Sequence, residues 1–368
     1  MNLRLPVSLA ERLRELIRRE GPITFHEWMK AALYDPAGGY YQRSDLQRWG
    51  REGDYRTSPE RSELFAATFA RYFAKLYHQL GQPEKWTIVE CGAGDGRFAV
   101  GVLRTLADRF PAVFTATRYI IYELSDDARR SAQERLAEFT NRVEFCSDLP
   151  SVQCGIYFSN ELLDAFPVHR LINGEEGLFE LYVSVASNGE FEWTTGPVST
   201  KRLAEFSESL NLAAGQIVEI NLEIDEWLSQ VAERLSRGFV ITVDYGSEAD
   251  ELYDPVRRPQ GTLRAFSQHG FVDNLLAQPG EVDITASVNW TQVKKVGERL
   301  GLKAVEFASQ DEFLLNAGLL EEMEYLMTKA TGTAENAALT TGAREMILPG
   351  GMASSFQVLV QEQMRHVR

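Results

Sequence analysis

Apolar residues recur at helical spacing in three early stretches. Leu9, Leu13, Leu16 and Ile17 predict a helix over 8–20 with Ser8 at its N-cap. Gly21-Pro22 ends it, and Phe25, Trp28, Met29 and Leu33 predict a second helix capped by Thr24. Leu64, Phe65, Phe69, Phe73 and Leu76 predict a long helix over 61–80, its aromatics serving as core. Residues 42–60, between the second and third helices, are polar and irregular, and a loop of that length inside a compact domain is usually functional or disordered. From residue 86 the pattern changes to short apolar runs separated by helical ones. These predict strands at 87–91, 118–123, 142–146, 154–159 and 238–244, with helices at about 97–109 and 126–139 between the first three. A long segment, 168–237, separates the fourth and fifth strands. It holds an alternating stretch, Leu178 to Trp193, that predicts a β-hairpin, and a helix over 223–236. Beyond 244 the chain is loop-rich to about 290, then predicts a helix (291–301), a strand (303–308), helices (311–330) and a last strand (354–362).

Strands alternating with helices imply a parallel sheet, and its first strand runs into WTIVECGAGDGRF, Trp86 to Phe98. Glycines at 92, 94 and 96 between a strand and a helix make a tight turn that brings backbone close to a ligand. The spacing is GxGxG, one residue shorter before the third glycine than the dinucleotide fingerprint. That difference favours S-adenosylmethionine, which carries no pyrophosphate, over a nicotinamide or flavin cofactor. Glu90, two residues before Gly92, suits the cationic amino-acid part of such a ligand. An ordinary strand-to-helix turn is the bland alternative, so the remaining motifs have to decide.

Composition narrows the class. A net charge of −15 argues against general affinity for nucleic acid or anionic membrane, both of which need basic surface. Cys91, Cys146 and Cys154 show no CxxC spacing, so a disulfide or metal framework is not expected and a reducing compartment is. The histidines form no HxxxH or HExxH, and no metal is expected. No apolar run approaches the roughly 20 residues of a membrane-spanning helix. The arginines of residues 12–19 are interleaved with Glu11, Glu15 and Glu20, unlike a transit peptide, so the expected location is cytoplasmic.

Several polar residues fall at expected strand ends. Glu123 follows the second strand, about 27 residues beyond Gly96, where a carboxylate can hold both ribose hydroxyls. Asp148 follows the third, facing an adenine amino group or simply making the turn Asp148-Leu149-Pro150. The fourth strand runs into Asn160-Glu161-Leu162-Leu163-Asp164. If strand order reverses at the glycine strand, Asn160, Glu161 and Asp164 project over the reactive end of the cofactor; Asn160 and Glu161 could instead cap a following helix. The fifth strand ends in Val243-Asp244-Tyr245-Gly246 on the same rim, and Asp283-Ile284-Thr285-Ala286-Ser287 is a further polar run.

Taken in order, these motifs resemble the MidA-type family of S-adenosylmethionine-dependent methyltransferases, which includes a mitochondrial arginine methyltransferase of respiratory complex I assembly. The resemblance rests on Gly21-Pro22-Ile23, Asp35-Pro36 with Gly39-Tyr40-Tyr41, Gly53-Asp54-Tyr55 with Thr57-Ser58-Pro59-Glu60, and Asn160 through His169. Asp244-Tyr245-Gly246, Gly261-Thr262-Leu263-Arg264 with His269, and Asp283-Ile284-Thr285-Ala286 complete it. The chain departs from the family at Ala93 and Asp95, where proline and arginine are common, and at Asn289, where an aspartate is usual. Those changes bear on substrate identity more than on cofactor binding.

The fold expected is therefore a class I methyltransferase: an α/β, Rossmann-like, mostly parallel seven-stranded sheet. Residues 1–80 would form an N-terminal helical region whose loop 42–60 covers the cofactor, and 81–368 the methyltransferase domain, interrupted by an α+β insertion, 168–237, that builds part of the acceptor cleft. Glu90, Gly92, Gly94, Gly96, Glu123, Asp148 and Asn160 are the expected cofactor residues, and Glu161 and Asp164 the catalytic pair. The resemblance implies a protein arginine as acceptor, with a respiratory-complex subunit among the candidate partners; a homodimer stands as a candidate assembly that the sequence itself does not decide. Two rivals stand beside this reading: a methyltransferase-like assembly factor that binds without turnover, and an NAD(P)-dependent oxidoreductase.

Overall fold

The structure is a computed structural model, and it describes residues 7–43, 46, 63–267, 270–272, 274–348 and 355–364. The expected lid over 42–60, with Gly53-Asp54-Tyr55 and Thr57 to Glu60, lies almost wholly outside the described residues, as does His269. Two compact units are each assembled from three chain segments. One comprises Arg56–Leu162, Trp227–Gly246 and Gln292–Arg368; the other Met1–Tyr55, Leu163–Glu226 and Ser247–Thr291.

The first unit is built on a sheet whose continuous path has seven strands: β1 (Trp86–Cys91), β2 (Thr117–Tyr122), β3 (Val143–Cys146), β4 (Gly155–Asn160), β5 (Arg237–Ser247), β6 (Leu302–Ser309) and β7 (Phe356–Met364). Their spatial order is β6-β7-β5-β4-β1-β2-β3. The pairings among β1 to β5 are parallel, and β7 runs antiparallel to both its neighbours. Strands covered on both faces need apolar side chains at every position rather than at alternate ones. Accordingly Ile88, Val89, Ile120, Ile121, Ile156, Tyr157 and Phe158 are all buried. The order reverses at β1, which has β2 on one side and β4 on the other, as expected from the glycine turn.

The helix Glu63–Gln79 belongs to this unit, not to an N-terminal region ending at residue 80. Its aromatic stripe explains why. Phe69 and Phe73 pack edge-on against Phe158 of β4, and Phe98 stacks on Phe158 with ring centroids 4.4 Å apart. These rings bury their apolar surface against β4 and its neighbours, which ties the helix to this sheet. A helix over Thr333–Ile347 was not expected, because its Thr- and Ala-rich sequence lacks a clear apolar stripe.

In the second unit, Leu9–Glu20 and Phe25–Tyr34 are helices opened by reciprocal capping boxes, Ser8 with Glu11 and Thr24 with Glu27. Gly177–Val185 pairs with His169–Gly174, with Phe191–Gly196 and with Ile23–Thr24, all antiparallel, so the expected hairpin exists and the N-terminal segment adds a strand to it. Ile217–Ile220 closes the far side of His169–Gly174. Arg264–Ser267, Gly270–Phe271 and Asp283–Thr285 make a small separate sheet. The segment 168–237 is thus not a self-contained insertion. As far as Glu226 it shares a unit with the N-terminal residues and with 247–291. The apolar faces of Phe25, Trp28 and Leu33 are covered by Val183, Phe191 and Ile284 from those other segments.

Candidate cofactor and active site

β1, β2, β3 and β4 end at nearly one level. Cys91 pairs with Tyr122 and with Ser159, Tyr122 pairs with Cys146, and Val243 of β5 pairs with Asn160. The glycine turn rises from the middle of this row. Gly92, Gly94 and Gly96 have φ of 72°, 55° and 78°, a region that side chains disfavour. At Gly96 a second reason applies: a Cβ there would stand 2.9 Å from Cβ of Ala132 in the helix Asp126–Arg135, so there is no room for a side chain between the turn and that helix. Glu123 ties them further. One carboxylate oxygen accepts the Gly94 N–H at 3.0 Å and the other the Ser125 N–H at 2.8 Å.

Glu90 is 4% exposed and accepts the Tyr119 hydroxyl at 2.7 Å. Burial, with the negative charges of Glu123 and Asp95 nearby, pushes its carboxyl up to about 8. The folded protein therefore keeps a proton that the unfolded chain loses near 4.5. The contribution of this one group to stability is full below that lower value, falls as pH rises by up to about 1.4 kcal/mol per pH unit, and levels off above about 8. Glu90→Gln should remove this slope. Melting temperatures of both proteins from pH 5 to 9 test it: the gap in favour of the variant should widen with pH, and a constant gap would refute the assignment.

Asp148 is exposed in the loop after β3. Between β2 and the helix Glu223–Arg234, Tyr122 stacks on Trp227, ring centroids 6.4 Å apart, an aromatic pair that strand periodicity did not single out.

The turn after β4 is unusual. Asn160 donates from Nδ2 to Glu161 Oε1 at 3.1 Å, and its Oδ1 is buried without a hydrogen-bond partner among the described residues. Glu161 has φ of 52°, left-handed backbone in a residue other than glycine, which costs about 1–2 kcal/mol. The strain is held from β5. Glu161 N–H donates to the Val243 carbonyl at 2.9 Å, and Leu162 N–H to Oδ2 of the fully buried Asp244 at 3.2 Å. No helix follows before the strand at His169, so the helix-cap alternative for Asn160 and Glu161 fails. Leu162 also reaches the glycine turn, its Cδ1 lying 3.1 Å from where a Cβ on Gly92 would be.

Asp164 falls in the second unit and is treated with it. It is buried, and its carbonyl accepts the Ala286 N–H at 2.9 Å. Tyr34 donates to the Ala165 carbonyl, Tyr41 to Asp283 Oδ1, and Ser287 N–H to Thr262 Oγ1, at 2.9, 2.7 and 3.1 Å. The motifs 34–41, 164–165, 262 and 283–287, far apart in sequence, are thus bonded to one another here. The departures at Asp95 and Asn289 acquire internal partners: Asp95 pairs with Arg97 and Arg135, and Asn289 donates to the Tyr253 hydroxyl at 3.1 Å. Among the described residues no group of His, Cys, Asp and Glu could hold a metal ion, and no helix is long and apolar enough to cross a membrane.

A parallel sheet that reverses at a glycine strand, with a carboxylate fixed after the second strand and an acidic turn after the fourth, defines a nucleoside-binding α/β fold of the methyltransferase class. The chain belongs to a family of S-adenosyl-L-methionine-dependent methyltransferases, whose model matches residues 68–308. It is 28% identical to the protein arginine methyltransferase NDUFAF7 homolog, mitochondrial, of Drosophila melanogaster, over 96% of this chain and 84% of that one. Identity to the rat protein arginine methyltransferase NDUFAF7 is 26%, over 95% and 84%. Among solved structures, a COG1565 superfamily member from Burkholderia thailandensis bound to S-adenosyl-homocysteine superposes with a TM-score of 0.87 at 29% identity, covering 96% of this chain and 92% of that one. The cofactor of this chain is S-adenosylmethionine. The left-handed glycine turn, the carboxylate of Glu123 fixed beside it and the buried Asn160 Oδ1, unpartnered among the described residues, fit a ligand that brings hydroxyl and ammonium donors.

Proposed function

We propose that the enzyme methylates an arginine side chain of a protein, with Glu161 and Asp164 gripping the acceptor. The observation that carries this reading is Glu161, a carboxylate kept in strained backbone at the end of β4, beside the glycine strand. The named activity of the relatives and the resemblance of residues 160–169 to their family support the arginine. S-adenosylmethionine, when bound, supplies a methyl group activated by its sulfonium. Glu90 would meet its ammonium, Glu123 its ribose hydroxyls, Asp148 its adenine amino group, with Gly92, Gly94, Gly96 and Asn160 lining the turn. What the chain itself must do is align the acceptor. A carboxylate pairs with a guanidinium in fork geometry and turns the lone pair of one nitrogen toward the transferred carbon. The proton displaced from that nitrogen passes to the carboxylate or to solvent.

We read the unit carrying Asp164 and Asp283 as the one that recognises the acceptor protein, a respiratory-complex subunit being the first candidate from the family resemblance. Three free thiols support a reducing compartment, in our reading the cytoplasm. Comparing proteome-wide arginine methylation with and without this protein tests the reading. A discrete set of sites should disappear in its absence and reappear when the purified protein and cofactor are added back. An unchanged arginine methylome would favour the binding-only alternative.

A further inference from the structure

We infer that Arg135 is a positioning residue for cofactor binding, acting through Asp95 to hold the glycine turn in its ligand-ready shape. Arg135 is the last residue of the helix Asp126–Arg135 and uses one edge of its guanidinium. Nε donates to the main-chain carbonyl of Asp95 at 3.0 Å, and Nη2 to its Oδ2 at 2.9 Å. A rigid fork that grips the carbonyl and the carboxylate of one residue fixes both its backbone and its side chain. Asp95 is the central residue of Gly94-Asp95-Gly96, whose flanking glycines take φ of 55° and 78°. Glycine populates either sign of φ about equally, so this tripeptide has little conformation of its own to enforce. Glu123 restrains the turn at the Gly94 N–H, and Gly96 N–H donates to the Ala93 carbonyl at 3.1 Å, but neither of these bonds fixes the Asp95 peptide carbonyl. Arg97 also reaches Asp95 Oδ2, at 2.8 Å, from within the next helix, so it moves with the turn rather than anchoring it. Among the described residues, Arg135 is the side chain that joins Asp95 to an element built after β2.

The energetic argument separates this role from fold stability. The Arg135 side chain is 39% exposed, and Arg97 still pairs with Asp95 when Arg135 is removed, so the cost to folding should be about 1 kcal/mol. A preformed binding turn matters differently. If it holds the competent shape only a tenth of the time, apparent affinity falls about tenfold, because ordering must then accompany binding. The inference rests on cofactor binding alone and is independent of which acceptor is methylated.

The test titrates S-adenosyl-homocysteine into the full chain by calorimetry, for the parent protein and for Arg135→Ala, Arg135→Lys and Asp95→Asn. Hydrogen exchange of the peptide spanning residues 92–97 is followed on the same samples. Arg135→Ala should raise Kd about tenfold, with melting temperature within about 3 °C of the parent. Exchange at the turn should quicken in the free variant and return to the parent rate once ligand is bound. Arg135→Lys should recover part of the loss, since an ammonium can still pair with the carboxylate but cannot span both oxygens as a fork. Asp95→Asn, which keeps the carbonyl bond, should raise Kd less than Arg135→Ala. An unchanged Kd in folded Arg135→Ala overturns the proposal, as does loss of affinity only in step with loss of melting temperature. Should Arg135→Ala not fold, parent-like Kd and exchange in both other variants overturn it equally.

Discussion

Glutamine in place of Glu161 should lower turnover by about a hundredfold or more while leaving affinity for S-adenosyl-homocysteine within about twofold. The substitution keeps the shape and one acceptor oxygen but removes the charge that pairs with a cationic acceptor. Losing one partner of a buried, hydrogen-bonded charge pair costs about 2–5 kcal/mol, and alignment is realised at the transition state, so the loss falls on turnover. The backbone adds a second arm. With φ of 52°, position 161 would suit glycine better than glutamate. Glu161→Gly should therefore be more stable by about 1 kcal/mol and inactive, a trade between stability and function. Asp164→Asn should resemble Glu161→Gln if its carboxylate also grips the acceptor. Melting temperature, product affinity and methyl transfer measured on one preparation separate these outcomes. A stable Glu161→Gln enzyme with full activity would sink the proposed role.

Alanine at Glu123 should weaken S-adenosyl-homocysteine binding by about 1–3 kcal/mol, the cost of leaving buried hydrogen-bonding groups unmet. Two losses combine here. The ribose hydroxyls lose their acceptor, and the N–H groups of Gly94 and Ser125 lose theirs, so the turn slackens as well. Glu123→Gln should fall between, because an amide offers one acceptor oxygen where the carboxylate offers two. Calorimetry with the demethylated cofactor measures both; parent-like affinity in Glu123→Ala would remove the residue from the site.

Much of this was legible in the sequence because the sheet is covered on both faces. Runs such as Thr87 to Cys91 and Gly155 to Ser159 have no competing polar stripe, and the glycine turn marks where strand order reverses. The division into units was not legible. Contacts such as Tyr41 to Asp283, and Asp164 to Ala286, join residues far apart in the chain, and no local pattern announces them. The left-handed backbone at Glu161 was hidden for a related reason: glycine or asparagine advertises positive φ, and glutamate does not. Asp95 illustrates the opposite hazard. Taken alone it bore on substrate identity, whereas its partner Arg135 makes it part of the scaffold. Glu90 was placed correctly on its strand, but its bond to Tyr119 depends on the register of β2, which sets Tyr119 opposite Ile88.

The antiparallel strand β7 has a consequence for the chain as it leaves the ribosome. β7 is the last of these seven strands along the chain, yet it lies inside the sheet, paired with β5 on one side and β6 on the other. Until Phe356–Met364 emerges, a nascent chain holds β5 with a largely open ladder and β6 without its strand partner among the described residues. Unpaired ladders of this kind invite pairing with other chains. A message broken or a ribosome stalled before this point therefore yields a product that carries the whole glycine turn and post-β4 turn but cannot close its sheet. Such a fragment is a natural client for chaperones and proteases.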